Sequence, residues 1–289
     1  MMNNSIDITE RPNPLSRHVD SMKVEDIVEL IASEEIKAIG QVSKAKSAIG
    51  RLVKDVMKAI KAKGRVFYVG AGTSGRLGVM DAAEVPPTFG VPQNLFNAIM
   101  AGGKKAFTKA VEGAEDDVRE GRRAMARITS KDIAIGISAS GRTPFVLSCL
   151  KEAKDKGART WLITFNPIKR HPFLDGLIKV IVGPEVIAGS TRLKAGTATK
   201  VMLNIISTAS MIGIGKVYRN YMVDVKPTNR KLQERAKRII TELTGASLDE
   251  AEVLLNTARG RVKVAVLMKK RGLNPKEAER LLMGNEGIL

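Results

Sequence analysis

The chain has one cysteine, two histidines and one tryptophan in 289 residues. A single thiol, Cys149, excludes any disulfide within the chain and fits a reducing, cytoplasmic setting. Cys149 sits in the apolar run Phe145-Val146-Leu147-Ser148-Cys149-Leu150 with no histidine nearby in sequence. It therefore reads as a buried structural thiol rather than a nucleophile. His18 and His171 stand apart, so no metal-ligand cluster of workable spacing forms. Aromatic residues make up 4% of the chain, against 44% hydrophobic residues overall, so its core must be mostly aliphatic. The N-terminal MMNNSIDITERPNP has no apolar segment of the kind a signal peptide needs. The most apolar stretch, Val201 to Gly215, is broken by Asn204, Ser207, Thr208 and Ser210, and reads as a core helix rather than a membrane span. No membrane partner is expected.

Acid is the scarce charge. Lys and Arg number 48 against 30 Asp and Glu, a formal net charge of +18. Such a balance raises the question of nucleic acid. Yet the bases are scattered along helical segments, interleaved with acids, and do not alternate with aromatics. The expectation is a solvated basic surface with weak, sequence-independent affinity at low salt and no specific nucleic-acid partner.

What the chain does have is an alternation of short apolar runs and helical patterns. Residues 1–64 read as an irregular arm, with Pro12 and Pro14 blocking a helix, followed by helices with a break near Gly40. Residues 65–244 read as an α/β domain. Its strands are expected at Arg65–Val69, Leu95–Met100, Ile133–Ile137, Thr160–Thr164 and Lys179–Val182. Helices between them imply βαβ units and a three-layer α-β-α arrangement around a mainly parallel sheet. The helix after the first strand is expected over Ser74–Val85 and to stop at Pro86-Pro87. Residues 245–289 read as a small helical domain with its own modest core, its helices at Leu248–Thr257, Arg261–Lys270 and Pro275–Leu282.

Two loops carry the chemistry. Gly70-Ala71-Gly72-Thr73-Ser74-Gly75 follows the first strand and opens a helix, which aims backbone N–H groups and a helix N-terminus at an anion. Ser138-Ala139-Ser140-Gly141-Arg142-Thr143 repeats the design after the third strand. In a parallel sheet both lie at carboxyl ends of strands, where such sheets bind ligands. The spacing Gly70-x-Gly72-x-x-Gly75 also fits a dinucleotide fingerprint. That reading needs an acid at the end of the next strand, and Ala101-Gly102-Gly103-Lys104 supplies none. A phosphate held by Gly72, Thr73, Ser74, Ser138, Ser140, Gly141 and Thr143, with charge from Arg142, fits both loops together. Helix packing at the first loop, and helix capping by Ser140 and Thr143, are the plainer alternatives.

Two groups of carboxylates complete the inventory. Glu84 lies on the helix after the first loop. Glu112, Glu115, Asp116 and Asp117 cluster before a helix, where favourable interaction with the helix dipole is the plain reading. The functional reading brings one of them to the ligand as a partner of Glu84, two carboxylates dividing acid and base roles.

The residues at this point carry a resemblance. Gly70–Gly78, Pro86–Gly90, Ala101–Gly103, Ala110–Asp117, Ala139–Pro144, Val182–Val186, Gly189–Lys194, Gly215–Tyr218 and Met222–Asp224 together resemble the N-acetylmuramic acid 6-phosphate etherases, a family of the sugar isomerase (SIS) fold. The match runs from about Thr9 to the C-terminal helices. It implies a cytoplasmic homodimer that cleaves the lactyl ether of N-acetylmuramic acid 6-phosphate, giving N-acetylglucosamine 6-phosphate and D-lactate. It implies Glu84 as the proton donor to the leaving lactate and Glu115 as the base that removes the C2 proton, with no metal or redox cofactor. The family often has Ala-Ser-Glu-Cys around the acid, where this chain has Ala82-Ala83-Glu84-Val85. A phosphosugar-binding regulatory protein and a sugar-phosphate isomerase are the alternatives on the same fold.

Overall fold

The computed structural model describes residues 6–225, 227, 229–284 and 289. Two helices lead in, α1 (Val24–Lys44) and α2 (Lys46–Lys61). The α/β part follows as β1 (Val66–Gly70), α3 (Gly72–Phe89), β2 (Phe96–Met100), α4 (Lys105–Thr108), α5 (Val118–Ala124), β3 (Ile133–Ile137), α6 (Pro144–Asp155), β4 (Arg159–Thr164) and β5 (Gly176–Lys179). Then come α7 (Lys194–Gly213), α8 (Arg230–Thr244), α9 (Leu248–Thr257), α10 (Val262–Arg271) and α11 (Pro275–Gly284).

The strands pair in the order β2-β1-β3-β4-β5, and every neighbouring pair is parallel. Burial on both faces explains the uninterrupted apolar runs of β1 and β3, each buried at all five positions. Successive side chains alternate between faces. Phe67, Val69 and Ala134 pack with Phe145, Val146 and Leu150 of α6. On the other face, Trp161 donates its indole N–H to Asp55 of α2 at 3.1 Å, and Tyr68 donates its hydroxyl to Asp81 of α3 at 3.0 Å. The three-layer α-β-α arrangement follows. Because the chain turns from β2 on one side of β1 to β3 on the other, the strand order reverses between β1 and β3, and a crevice opens at their carboxyl ends.

The chain divides into two compact units. The first holds the residues up to Ala82 and Asn94–Ser207, and the second Ala83–Gln93 and the chain from Thr208 on. In the second unit, Ala236, Ile240 and Leu243 of α8 share a core with Ala251 and Leu255 of α9, Val262 and Val266 of α10, and Leu282 of α11. Val223 and Val225 join it, so the apolar faces of the last three helices close on chain before 245 rather than on each other alone.

Three local expectations change. The break in the leading helices falls at Ala45, not Gly40. Gly40 costs a helix only about 1 kcal/mol relative to alanine. The fifth strand lies earlier, at Gly176–Lys179, and shares only Lys179 with the expected Lys179–Val182. Glycine is a poor strand former, but here its position faces the Trp161 ring, and a Cβ would lie 2.3 Å from it. Finally, α3 runs through Pro86 and Pro87 to Phe89. The prolines remove two N–H donors. Around them Thr88 Oγ1 donates to the Glu84 carbonyl at 2.7 Å and the Gly90 N–H to the Pro86 carbonyl at 2.9 Å, and Gly90, at φ +64°, ends the helix.

Candidate functional site

The first loop is shaped by close backbone approach. A Cβ on Gly70 would lie 2.6 Å from the Gly75 nitrogen, and one on Gly75 would lie 2.8 Å from the Gly70 carbonyl oxygen. These two glycines let α3 start directly against the end of β1. Gly72 differs: it has φ +51° and open space where a Cβ would point. It turns the chain so that the first-turn amides of α3, which lack intrahelical partners, stand at the crevice. Thr73 and Ser74 add hydroxyls there.

The second loop holds its own shape through hydroxyls. Ser138 Oγ accepts from the Gly141 N–H at 3.0 Å and lies 2.7 Å from Thr143 Oγ1, with Ser140 Oγ at 3.4 Å. Ser140 Oγ accepts from the Arg142 N–H at 3.1 Å. Ser138 is buried, so it fixes the loop more than it offers itself to a ligand. Gly141, at φ +72°, backs onto Thr164 and Ile168, where a Cβ would meet atoms at 2.7 Å.

The two loops meet across one cleft of about 350 Å³, formed wholly within the first unit. Gly72, Thr73, Ser74, Ser138, Ser140 and Thr143 line it, and so does Glu115. Glu115 sits on a single 3-10 turn, Ala114–Asp116, entered through Gly113 at φ +70°. The helix-dipole role falls instead to Asp117, whose side chain accepts from the Glu120 N–H at 2.8 Å and caps α5. Among the described residues nothing bonds the Glu115 carboxylate. Arg142 does not line the cleft; its guanidinium pairs with Asp7. Glu84 belongs to the second unit, where its side chain is exposed on α3.

The arm supplies residues that sequence reasoning passed over. Thr9 and Glu10 line the cleft, with Gly189 and Thr191 beside them. Asn166, fully buried, accepts from the Ile8 N–H at 2.6 Å and donates to Thr9 Oγ1 and the Ala139 carbonyl, each at 3.0 Å. No spacing signal announces a contact between residues so far apart in the chain.

A buried ionic group fastens the Gly189–Leu193 segment. Glu185 accepts from the backbone N–H groups of Lys194 at 2.9 Å and Ala195 at 3.0 Å, at the N-terminus of α7. Burial raises its pKa despite those bonds. Lys194 Nζ lies 2.6 Å from Glu34 Oε2 of α1. Burial works to raise the Glu34 pKa, but hydrogen bonds from Lys194, Lys37 and Asn13 outweigh it and hold the group at about 2.

A larger cavity of about 620 Å³ lies in the second unit. Its charges are largely spent on one another: Lys216 and Lys263 both contact Asp224, and Arg261 pairs with Glu279. Among the described residues there is no cluster of metal-ligating side chains and no helix long and apolar enough to cross a membrane.

Residues 48–154 match the family model of the glucokinase regulatory protein N-terminal SIS domain. The chain is 49% identical over 284 residues to the N-acetylmuramic acid 6-phosphate etherase of Geobacillus thermodenitrificans, covering 97% of this chain and 96% of that one. It is 45% identical to the same-named enzyme of Clostridioides difficile, covering 98% and 94%. Among solved structures, a Listeria monocytogenes protein assigned as a sugar-phosphate isomerase superposes with TM-score 0.51 at 18% identity, over 67% of this chain and 93% of that one. An Escherichia coli structure gives TM-score 0.50 at 20% identity, over 68% and 96%. These two likenesses bear on the fold alone.

Proposed function

The chain belongs to the N-acetylmuramic acid 6-phosphate etherase family, and from that premise we infer that the cleft between its two loops is where the phosphosugar is held and cleaved. The enzyme acts on N-acetylmuramic acid 6-phosphate in cell-wall sugar recycling. The observation that carries the placement is the convergence of both loops and Glu115 on one cleft.

The proposed roles follow from the chemistry. The α3 amides, with Thr73, Ser74, Ser140 and Thr143, hold the 6-phosphate through neutral donors, and Ser138 and Gly141 set the second loop. With the sugar open at C1, the C2 proton is acidic enough for a carboxylate, and Glu115 removes it. The lactyl oxygen at C3 is a poor leaving group until protonated, the role given to Glu84 by the family resemblance. The C3–O bond breaks, D-lactate leaves and a C2=C3 double bond forms. Water then adds across it: oxygen to C3 as its proton returns to Glu84, and the Glu115 proton to C2. The product is N-acetylglucosamine 6-phosphate. Neither step calls for a metal or a redox cofactor. A cytoplasmic homodimer is the proposed state, and light scattering after gel filtration tests the dimer.

The match to a regulatory protein's SIS domain favours one rival, a phosphosugar sensor. A sensor needs the loops but no carboxylate in the cleft. Lactate release from the 6-phosphorylated substrate separates the two: folded protein that binds the sugar and releases no lactate overturns the etherase reading.

A further inference from the structure

Glu10 is the second carboxylate of the cleft, and the wall that carries it is a built one. Thr9, beside it, is buried; its hydroxyl accepts from Asn166 Nδ2 at 3.0 Å and its carbonyl from the Gly189 N–H at 2.9 Å. The Ile8 N–H is held by Asn166 Oδ1 at 2.6 Å. Asn166 also donates to Ala139 at 3.0 Å, so one buried side chain ties the arm to the second loop. The carboxylate lies over Gly189, where a Cβ would come within 2.6 Å of Glu10 Oε2. The absent side chain at Gly189 is what leaves room for it. Glu10 itself is solvent-exposed, and no hydrogen bond or ion pair among the described residues engages its carboxylate.

An ionised carboxylate only accepts hydrogen bonds. Held in a cleft made for a phosphate, it repels any anion brought to its end. It is therefore matched to the part of a ligand that carries O–H or N–H donors and no charge. We propose that Glu10 contacts the sugar itself, accepting hydrogen bonds from hydroxyl or acetamide N–H groups, and so fixes the one orientation in which the phosphate meets the loop amides. This rests on the etherase reading of the cleft. It makes Glu10 a specificity residue rather than a member of the acid–base pair.

The test compares wild type, Glu10→Ala and Glu10→Gln in lactate release and in calorimetric binding of inorganic phosphate and of N-acetylglucosamine 6-phosphate. Glu10→Ala is expected to raise KM by about tenfold or more, the loss of a hydrogen bond to a charged group, with kcat within about threefold. Its affinity for inorganic phosphate should be unchanged or higher, because only a repelling charge is gone. Glu10→Gln should fall between, since the amide keeps an acceptor oxygen. An unchanged KM overturns the proposal. So does an equal loss of phosphate and sugar binding, the mark of an arm that merely props the loop. A wild type that binds the sugar but releases no lactate would count against the etherase reading instead, while the contrast between phosphate and sugar binding still judges Glu10.

Discussion

Ser138 Oγ and Thr143 Oγ1 lie 2.7 Å apart, closing the second loop upon itself while Ser138 also accepts from the Gly141 N–H. Ser138→Ala removes that acceptor, but the Gly141 N–H keeps the Ser138 carbonyl at 3.1 Å, so the cost in stability should be about 0.5–1.5 kcal/mol. It should also weaken inorganic phosphate binding by about tenfold, because the loop amides lose their fixed direction. Denaturant titration and calorimetry read the two effects. Loss of stability with full phosphate affinity would leave the loop without a binding role.

The proposed division of labour between the acids separates proton abstraction from ether cleavage. Glu115→Gln should abolish both deuterium exchange at C2 and lactate release. Glu84→Gln should slow lactate release by about a hundredfold or more, yet spare exchange to a greater degree. Proton NMR in deuterated buffer follows both. Normal exchange in Glu115→Gln would remove Glu115 as the base.

The buried Glu34–Lys194 contact gives stability a pH signature. The Glu34 pKa is lowered from 4.5 to about 2 in the folded chain. The unfolded chain therefore takes up this proton first, and the contribution of Glu34 is complete above pH 4.5 and lost as pH falls toward 2. Lys194→Met removes the buried partner of Glu34 and leaves its carboxylate to Lys37 and Asn13, and should cost about 1.5–3 kcal/mol at neutral pH. The double variant with Glu34→Gln should recover part of that loss. Equal stability of Lys194→Met and wild type would show that the pair contributes nothing.

Gly70→Ala and Gly72→Ala should fail for different reasons. A Cβ at Gly70 meets backbone atoms of Ser74 and Gly75, so the turn must open and the fold should lose about 1–3 kcal/mol or more. At Gly72 the space is free and only the φ of +51° resists, a cost of about 1–2 kcal/mol. Thermal melts of the two variants should rank them in that order.

Cys149 is fully buried, and its thiol donates to the Gly121 carbonyl at 3.0 Å. Burial, with the nearby Glu120 carboxylate, pushes its pKa up to about 12. Thiol reagents at pH 8 should leave the native protein unlabelled and react only in denaturant. Rapid labelling of folded protein would contradict this burial.

The sequence by itself determined the first four strands and the two loops, because buried parallel strands leave long apolar runs and tight strand-to-helix turns demand glycine. Ile133–Ile137 is the clearest case, its bounds evident from composition alone. The β5 start at Gly176 was hidden because its reason, the Trp161 ring across the sheet, is a tertiary one. The passage of α3 through Pro86 and Pro87 was hidden because local rules weigh the lost donors and not the surrounding bonds. Only the tertiary structure decided the membership of the cleft. Glu115 and Glu10 are separated by more than a hundred residues, and it is the reversal of strand order between β1 and β3, with Asn166 clasping the arm, that brings both to one cleft. Local spacing carries helix and strand periods; contacts closed by buried hydrogen bonds between distant segments leave no period to read.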